Sequence, residues 1–177
     1  MWGLIYVGAF LVSFAASAVL KMTWPPLGDK YSVRWDDSVG TVYTDLSYGE
    51  GDANKFDLYL PADSTKGTYG QVVYLHAGGF TSGDKSDDAG MLQWLCSKGY
   101  VAAGINYTLF SEEHPDANVY TQSVEIRDSI PYVLAEAEKR GYSIDRMAVS
   151  GGSAGHTLAM LYAYRDAAVS PVPVKLV

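Results

Sequence analysis

Residues 146–165 read RMAVSGGSAGHTLAMLYAYR, and this stretch decides the fold. A short β-rich run at 146–150 leads into the pattern Gly-x-Ser-x-Gly at 151–155, and a helix-forming apolar run follows. A strand, a tight turn and a helix in that order push the central serine into a strained turn at the carboxyl edge of a sheet. The five-residue pattern alone is weak evidence, but its context agrees. We therefore predict that Ser153 is a nucleophile.

The chain on either side of this stretch alternates strands and helices. Strands are predicted at 42–48, 55–60, 71–75, 100–106, 146–150 and 172–177, and helices at 89–98, 119–140 and 154–165. The first two strands are joined by Gly49-Glu50-Gly51-Asp52 and are expected to pair antiparallel. The alternation that follows predicts an α/β fold with a doubly wound, mostly parallel sheet. Pro131 interrupts the long helix, which predicts a kink or a break there.

A second glycine-rich turn, His76-Ala77-Gly78-Gly79-Phe80, comes directly after the buried strand 71–75. Acyl transfer builds negative charge on an oxygen atom, and backbone N–H groups close to that oxygen stabilise it. Glycine lets the backbone approach because it has no Cβ. Taken alone, the segment is equally typical of an ordinary glycine turn. Beside the serine turn it predicts an oxyanion hole formed by the N–H groups of Gly78, Gly79 and Ala154.

These motifs resemble the hormone-sensitive-lipase-like and feruloyl-esterase-like (BD-FAE) carboxylesterases, which have the α/β-hydrolase fold. Residues 76–80 look like the His-Gly-Gly-Gly oxyanion motif of that group, and residues 151–155 are similar to its nucleophile elbow. Phe56-Asp57-Leu58-Tyr59-Leu60-Pro61 and Asn106-Tyr107 also resemble the group. The resemblance covers about residues 40 to 177. It implies a serine hydrolase that cleaves small acyl or aryl esters, such as acetyl or feruloyl groups on carbohydrate.

The chain departs from that pattern at two positions. Ala77 replaces the first motif glycine, and Gly152 precedes the serine where many relatives carry an acidic residue. Neither change removes an expected N–H donor. A serine peptidase or amidase on the same fold and a catalytically inactive binding module are the alternatives. No cofactor and no metal ion are expected.

A serine nucleophile needs a histidine base and a carboxylate that orients it, and in this fold both follow the serine in the chain. His156 lies in the first turn of the same helix, and Asp166 lies near the end of that helix. His76 belongs to the oxyanion turn and His114 to a polar loop. The acid and base are therefore expected in a carboxyl-terminal part beyond these residues or on a second chain that completes the fold. The 177 residues alone are expected to be inactive.

Charge and cysteine content exclude several functions. The net charge is −7 and no cluster of Lys and Arg is present, so nucleic acid is not an expected partner. The run Asp84–Asp88 is interpreted as a solvated loop and not as a metal site. The single cysteine, Cys96, lies in an apolar helical stretch and is expected to be a buried small hydrophobe.

The first segment is a separate question, because residues 1–20 carry no charged side chain. About 20 apolar residues suffice to span a bilayer as a helix. Ala16-Ser17-Ala18 fits the small-x-small pattern of a signal-peptide cleavage site, and a buried helix is the third alternative. The predicted organisation is a membrane anchor or signal segment at 1–21, a linker at 22–37 and the amino-terminal part of a hydrolase domain at 38–177. The protein is expected to be membrane-anchored or secreted.

Overall fold

A computed structural model describes residues 2–23 and 31–177 and divides the chain into two compact units, Met1–Ser32 and Val33–Val177. The first unit contains helix α1, Trp2–Thr23, whose large apolar side chains such as Phe10 and Phe14 are exposed. No helix within the described ranges is long and apolar enough to cross a membrane. The anchor or signal segment stays a prediction. Part of the predicted linker, residues 24–30, lies outside the described residues.

The second unit is built on one six-stranded sheet. Its strands are β1 Gly40–Ser47, β2 Lys55–Pro61, β3 Tyr69–Leu75, β4 Val101–Ile105, β5 Ile144–Gly151 and β6 Val174–Leu176. They lie in the order β1-β2-β4-β3-β5-β6. β2 is antiparallel to both of its neighbours, whereas β4, β3, β5 and β6 run parallel to one another. The prediction of a mostly parallel sheet with an antiparallel amino-terminal hairpin is therefore confirmed.

Helices cover both faces of the sheet. They are α2 Ala89–Ser97, α3 Val119–Lys139 and α4 Ala154–Leu161, and α4 continues as a π turn over Tyr162–Asp166. Because neighbouring strand residues point to opposite faces, β4 contributes Ala103 to the larger cluster, with Ile126 of α3 and Leu158 of α4. It contributes Ala102 to the smaller cluster around Leu92 of α2. The sheet is thus sandwiched between helices.

Two expectations about side chains in the helices can be compared with the structure. Pro131 lies inside α3, and α3 is one continuous helix, so of the predicted kink or break the break does not occur. Proline has no N–H group, so the carbonyl four residues earlier in α3 has no helical hydrogen-bond donor. Pro131 is exposed, so water can donate to that carbonyl instead. Cys96 is buried in α2 as predicted, and burial raises the pKa of its thiol to about 12. A thiol with so high a pKa is a poor nucleophile.

Candidate active site

Ser153 occupies the sharp turn between β5 and α4, and its side chain is exposed. Its backbone has φ 48° and ψ −109°, a conformation that L-residues rarely adopt. Such a conformation costs about 1–3 kcal/mol and persists only when its surroundings hold it. Here the Gly152 N–H donates to the Leu75 carbonyl at 3.2 Å, and the Gly155 N–H donates to the Gly152 carbonyl at 2.8 Å. The turn is therefore tied to the end of the neighbouring strand β3.

The glycines on either side of Ser153 are required by the close approach of α4 to β3. A Cβ on Gly151 would lie 2.6 Å from the Leu75 oxygen, and one on Gly155 would lie 2.0 Å from the same oxygen. Both distances are far below any normal contact. Gly151 also pairs with Leu75 in the sheet, so β3 and β5 end side by side. The serine turn and the turn after β3 are thus brought together at one edge of the sheet.

Backbone hydrogen bonds orient the peptides of residues 77–79. The Gly78 carbonyl accepts from the N–H groups of Thr81 and Ser82 at 3.1 and 3.0 Å. In a trans peptide the carbonyl and the following N–H point in opposite directions, so the Gly79 N–H points away from that closed turn. Among the described residues, no hydrogen-bond acceptor is found for the N–H groups of Gly78, Gly79 or Ala154. These three groups are available as donors to a ligand.

His76 is a structural part of this turn. Its ring is 1% exposed and stacks on Tyr107, with the ring centroids 4.4 Å apart. The Nδ1 atom lies 2.7 Å from the Ala77 carbonyl, which requires the proton on Nδ1, and the Tyr107 hydroxyl donates to the His76 carbonyl at 3.0 Å. A Cβ on Gly83 would meet the His76 ring at 2.4 Å, so the loop folds tightly back over the histidine. His76 is therefore fixed within the turn, and its Nε2 atom is buried without a hydrogen-bond partner among the described residues.

The segment Asp84–Asp88 was interpreted as a solvated loop, and this interpretation is wrong for its one cation, Lys85. The Lys85 side chain is 8% exposed, and its Nζ lies 2.9 Å from Asp45 Oδ1 and 3.2 Å from Asp57 Oδ1. Burial on its own would lower the pKa of Lys85, but the hydrogen bonds to Asp45 and Asp57 outweigh it and raise the pKa. The lysine thus fastens the loop after β3 to strands β1 and β2. Its partners are distant in sequence, so no local pattern could reveal them.

Asp84 and Asn106 fasten the same loop to the end of β4. Asp84 accepts from the Ser86 N–H at 2.8 Å and from Asn106 Nδ2 at 2.7 Å, and Asn106 Oδ1 accepts from the Lys85 N–H at 2.6 Å. Burial alone would raise the pKa of Asp84, but the hydrogen bonds from Ser86 and Asn106 lower it to about 2. The folded state therefore favours the ionised carboxylate.

This depressed pKa predicts an acid-sensitive contribution to stability. The contribution is complete above the ordinary pKa of 3.8 and is lost as the pH falls from there to about 2. We expect Asp84→Asn to be less stable than the wild type at neutral pH and to lose less stability over that acid range. Denaturant unfolding at several pH values measures this, with Asp52→Asn in the exposed hairpin loop as the control. Equal acid sensitivity of wild type and Asp84→Asn would contradict the prediction.

None of the other side chains considered as acid or base makes a hydrogen bond to Ser153 among the described residues. His114 is exposed in the loop before α3, and His156 is exposed in the first turn of α4. Asp166 is 6% exposed and pairs with Arg165, whose Nε lies 2.9 Å from Asp166 Oδ1. Within the described ranges, no hydrogen bond joins the Ser153 hydroxyl to a histidine or a carboxylate. The site therefore has a candidate nucleophile and candidate oxyanion donors, without a base in contact.

Known proteins with similar sequences are hydrolases. Residues 56–170 match the family described as BD-FAE. A probable carboxylic ester hydrolase of Mycobacterium tuberculosis, LipM, is 30% identical over 123 residues, which cover 67% of this chain and 27% of that protein. The kynurenine formamidase of Danio rerio is 30% identical over 131 residues, covering 73% of this chain and 41% of that protein. The chain thus spans well under half the length of both curated relatives.

Solved structures show the same fold. The crystal structure of esterase B from Lactobacillus rhamnosis superposes with a TM-score of 0.67 at 23% identity, over 97% of this chain and 56% of that one. A bacterial heroin esterase superposes with a TM-score of 0.63 at 20% identity, over 84% of this chain and 46% of that one. At these identities the likeness concerns the fold, which is that of the α/β-hydrolases.

Proposed function

This chain belongs to the BD-FAE family, and on that basis we propose that it carries the nucleophile of a serine carboxylesterase acting on small acyl or aryl esters. The observation that carries the proposal is the strained, exposed turn of Ser153 beside the free N–H groups of Gly78 and Gly79. A serine held in this way has the geometry of a nucleophile elbow. The family membership and the ester hydrolase among the relatives support the same reaction class.

The proposed reaction passes through an acyl-enzyme. The Ser153 hydroxyl loses its proton to a base as its oxygen bonds to the ester carbonyl carbon, and the carbonyl electrons move onto the oxygen. The N–H groups of Gly78, Gly79 and Ala154 stabilise that charge, and the amino-terminal end of α4 adds its positive dipole. The base then gives this proton to the leaving alkoxide oxygen as the carbon–oxygen bond breaks, so the alcohol departs and the acyl group stays on Ser153. Water, deprotonated by the same base, attacks the acyl carbon, and the base returns that proton to the Ser153 oxygen as its bond to the acyl carbon breaks, which releases the acid and restores the serine.

We propose that the base and its carboxylate partner come from outside these 177 residues, on the rest of a longer chain or on a second chain. The burial of His76 and the pairing of Asp166 with Arg165 support this, since neither side chain makes a hydrogen bond to Ser153 among the described residues. The larger length of the curated relatives supports it as well. The term complete enzyme denotes these residues together with the part that supplies the acid and the base.

An amidase reaction on the same serine is the second candidate, because two of the relatives carry the name kynurenine formamidase. Esters and formamides pass through the same tetrahedral intermediate, but an amide must have its leaving nitrogen protonated. The two candidates therefore share Ser153 and differ in the substrate that the complete enzyme turns over.

Two chromogenic substrates with related leaving groups separate these candidates. We expect the complete enzyme to hydrolyse p-nitrophenyl acetate and to give no measurable turnover of p-nitroformanilide, because an amide also needs its leaving nitrogen protonated. Measurable turnover of p-nitroformanilide would make the amidase the correct reading, whatever the rate on the more reactive ester. A complete enzyme that hydrolyses neither compound and takes up no fluorophosphonate probe would be an inactive binding module, and the proposal would fail.

A further inference from the structure

Gln122 connects the candidate oxyanion turn to helix α3. It lies in the first turns of α3 and is wholly buried. Its Nε2 donates to the Phe80 carbonyl at 3.0 Å and to the Thr108 carbonyl at 2.9 Å. Phe80 ends the turn after β3, and Thr108 lies in the loop after β4. One amide nitrogen thus holds together the two loops that leave the carboxyl ends of neighbouring strands.

The carbonyl that Gln122 holds belongs to a strained residue. Phe80 follows Gly79 directly and has φ 70°, a left-handed conformation that is unfavourable for a residue with a Cβ. The Phe80 carbonyl also accepts from the Phe110 N–H at 3.0 Å, so two donors fix its direction. Gly78 and Gly79 have positive φ as well. Of these three residues only Phe80 has a Cβ, so the strain lies at Phe80 and persists only if its surroundings hold the end of the turn.

The two acceptors identify which end of the Gln122 side-chain amide faces the loops. Both neighbours of Nε2 are carbonyl oxygens, so only the NH₂ end of the side chain can face them. The other end, Oε1, is buried and has no hydrogen-bond partner among the described residues. A buried polar atom without a partner is costly and calls for an explanation. The double hydrogen bond from Nε2 offers one.

We propose that Gln122 is a positioning residue for the oxyanion hole: by holding the Phe80 carbonyl, it keeps the Gly78 and Gly79 peptides in the orientation that donates to the substrate. Gln122 touches neither substrate nor Ser153 in this arrangement and acts through the turn. The inference rests on the proposed function, because an oxyanion hole has a role only in acyl transfer.

Substitution by the isosteric acid tests the direction of the hydrogen bonds. In Gln122→Glu an ionised carboxylate faces two carbonyl oxygens and donates nothing, so we expect kcat to fall about 10- to 100-fold with little change in KM. Protonation restores one donor, and burial favours the protonated acid. The kcat of Gln122→Glu relative to the wild type should therefore rise as the pH falls from about 8 to about 5. Gln122→Met, which keeps the packing but never donates, should lose kcat without that recovery.

Gln71 provides a matched control for the cost of burying a carboxylate. It is a second glutamine that is 1% exposed, it lies in β3, and neither end of its amide has a hydrogen-bond partner among the described residues. Gln71→Glu should lower stability without a selective loss of kcat in the folded enzyme. Equal kcat losses in Gln71→Glu and Gln122→Glu, or an unchanged kcat in both Gln122 variants, would overturn the proposal.

Hydrogen exchange separates a failure of this inference from a failure of the proposed function. If the wild-type complete enzyme hydrolyses no ester, the proposed function fails. Backbone amide exchange in residues 76–84 then still shows whether Gln122 holds the turn. Both Gln122 variants should then exchange at least about tenfold faster in that segment than the wild type and Gln71→Glu. Unchanged exchange would show that Gln122 does not hold the turn.

Discussion

Replacing Ser153 with alanine is expected to lower kcat/KM of the complete enzyme for p-nitrophenyl acetate by about 10⁴-fold or more. The N–H donors of Gly78 and Gly79 stay in place, but no oxygen remains to attack the substrate. Initial rates measure the loss, and mass spectrometry after fluorophosphonate treatment should show the label on Ser153 in the wild type and no label in the variant. Full activity of Ser153→Ala would end the assignment of this residue as the nucleophile.

The backbone of the turn supplies a control for this experiment. Alanine keeps a Cβ at φ 48°, so Ser153→Ala should retain the strain and unfold near the wild-type denaturant concentration. Ser153→Gly removes the Cβ and should be more stable than the alanine variant by about 1–2 kcal/mol. Both variants should be inactive. A folded alanine variant without activity shows that the loss concerns chemistry and not folding.

The parts of the site that could be predicted from sequence are those determined by short stretches of chain. The order of strand, Gly-x-Ser-x-Gly and helix led to Ser153, because the close crossing of α4 over β3 excludes side chains at residues 151 and 155. The glycines of the turn after β3 were found in the same way, since their positive φ values exclude most other residues. The alternation of strands and helices likewise predicted the sheet.

The parts that could not be predicted depend on residues far apart in the chain. Lys85 looked like a solvated cation between aspartates, but its partners Asp45 and Asp57 come from β1 and β2. No feature of the sequence indicated a buried role for Gln122, because a polar residue near the start of a helix is normally exposed. Only the folded chain brings its amide to the Phe80 carbonyl. The side chains that fasten the turn after β3 were therefore missed, although the positions of its glycines were noted.

Replacing Gly155 with alanine is expected to have the largest effect on stability, a loss of about 3–5 kcal/mol. The added Cβ would lie 2.0 Å from the Leu75 carbonyl oxygen and 2.6 Å from the His76 carbonyl oxygen. Both neighbours are backbone atoms at the end of a central strand, so no flexible side chain can move aside. The strand or the helix must shift instead, and this separates Ser153 from the turn after β3. Activity should therefore fall even in the molecules that remain folded.

Gly152→Ala is the matched control, because the same methyl group is added within the same motif. Its Cβ would lie 3.3 Å from the Cβ of Ala77 and 3.6 Å from the Tyr74 hydroxyl, contacts that shifts of a few tenths of an ångström relieve. We expect it to cost less than about 1 kcal/mol. Urea unfolding of both variants measures the difference. If the two alanines cost the same, steric exclusion at the crossing of α4 and β3 is not what requires glycine at residue 155.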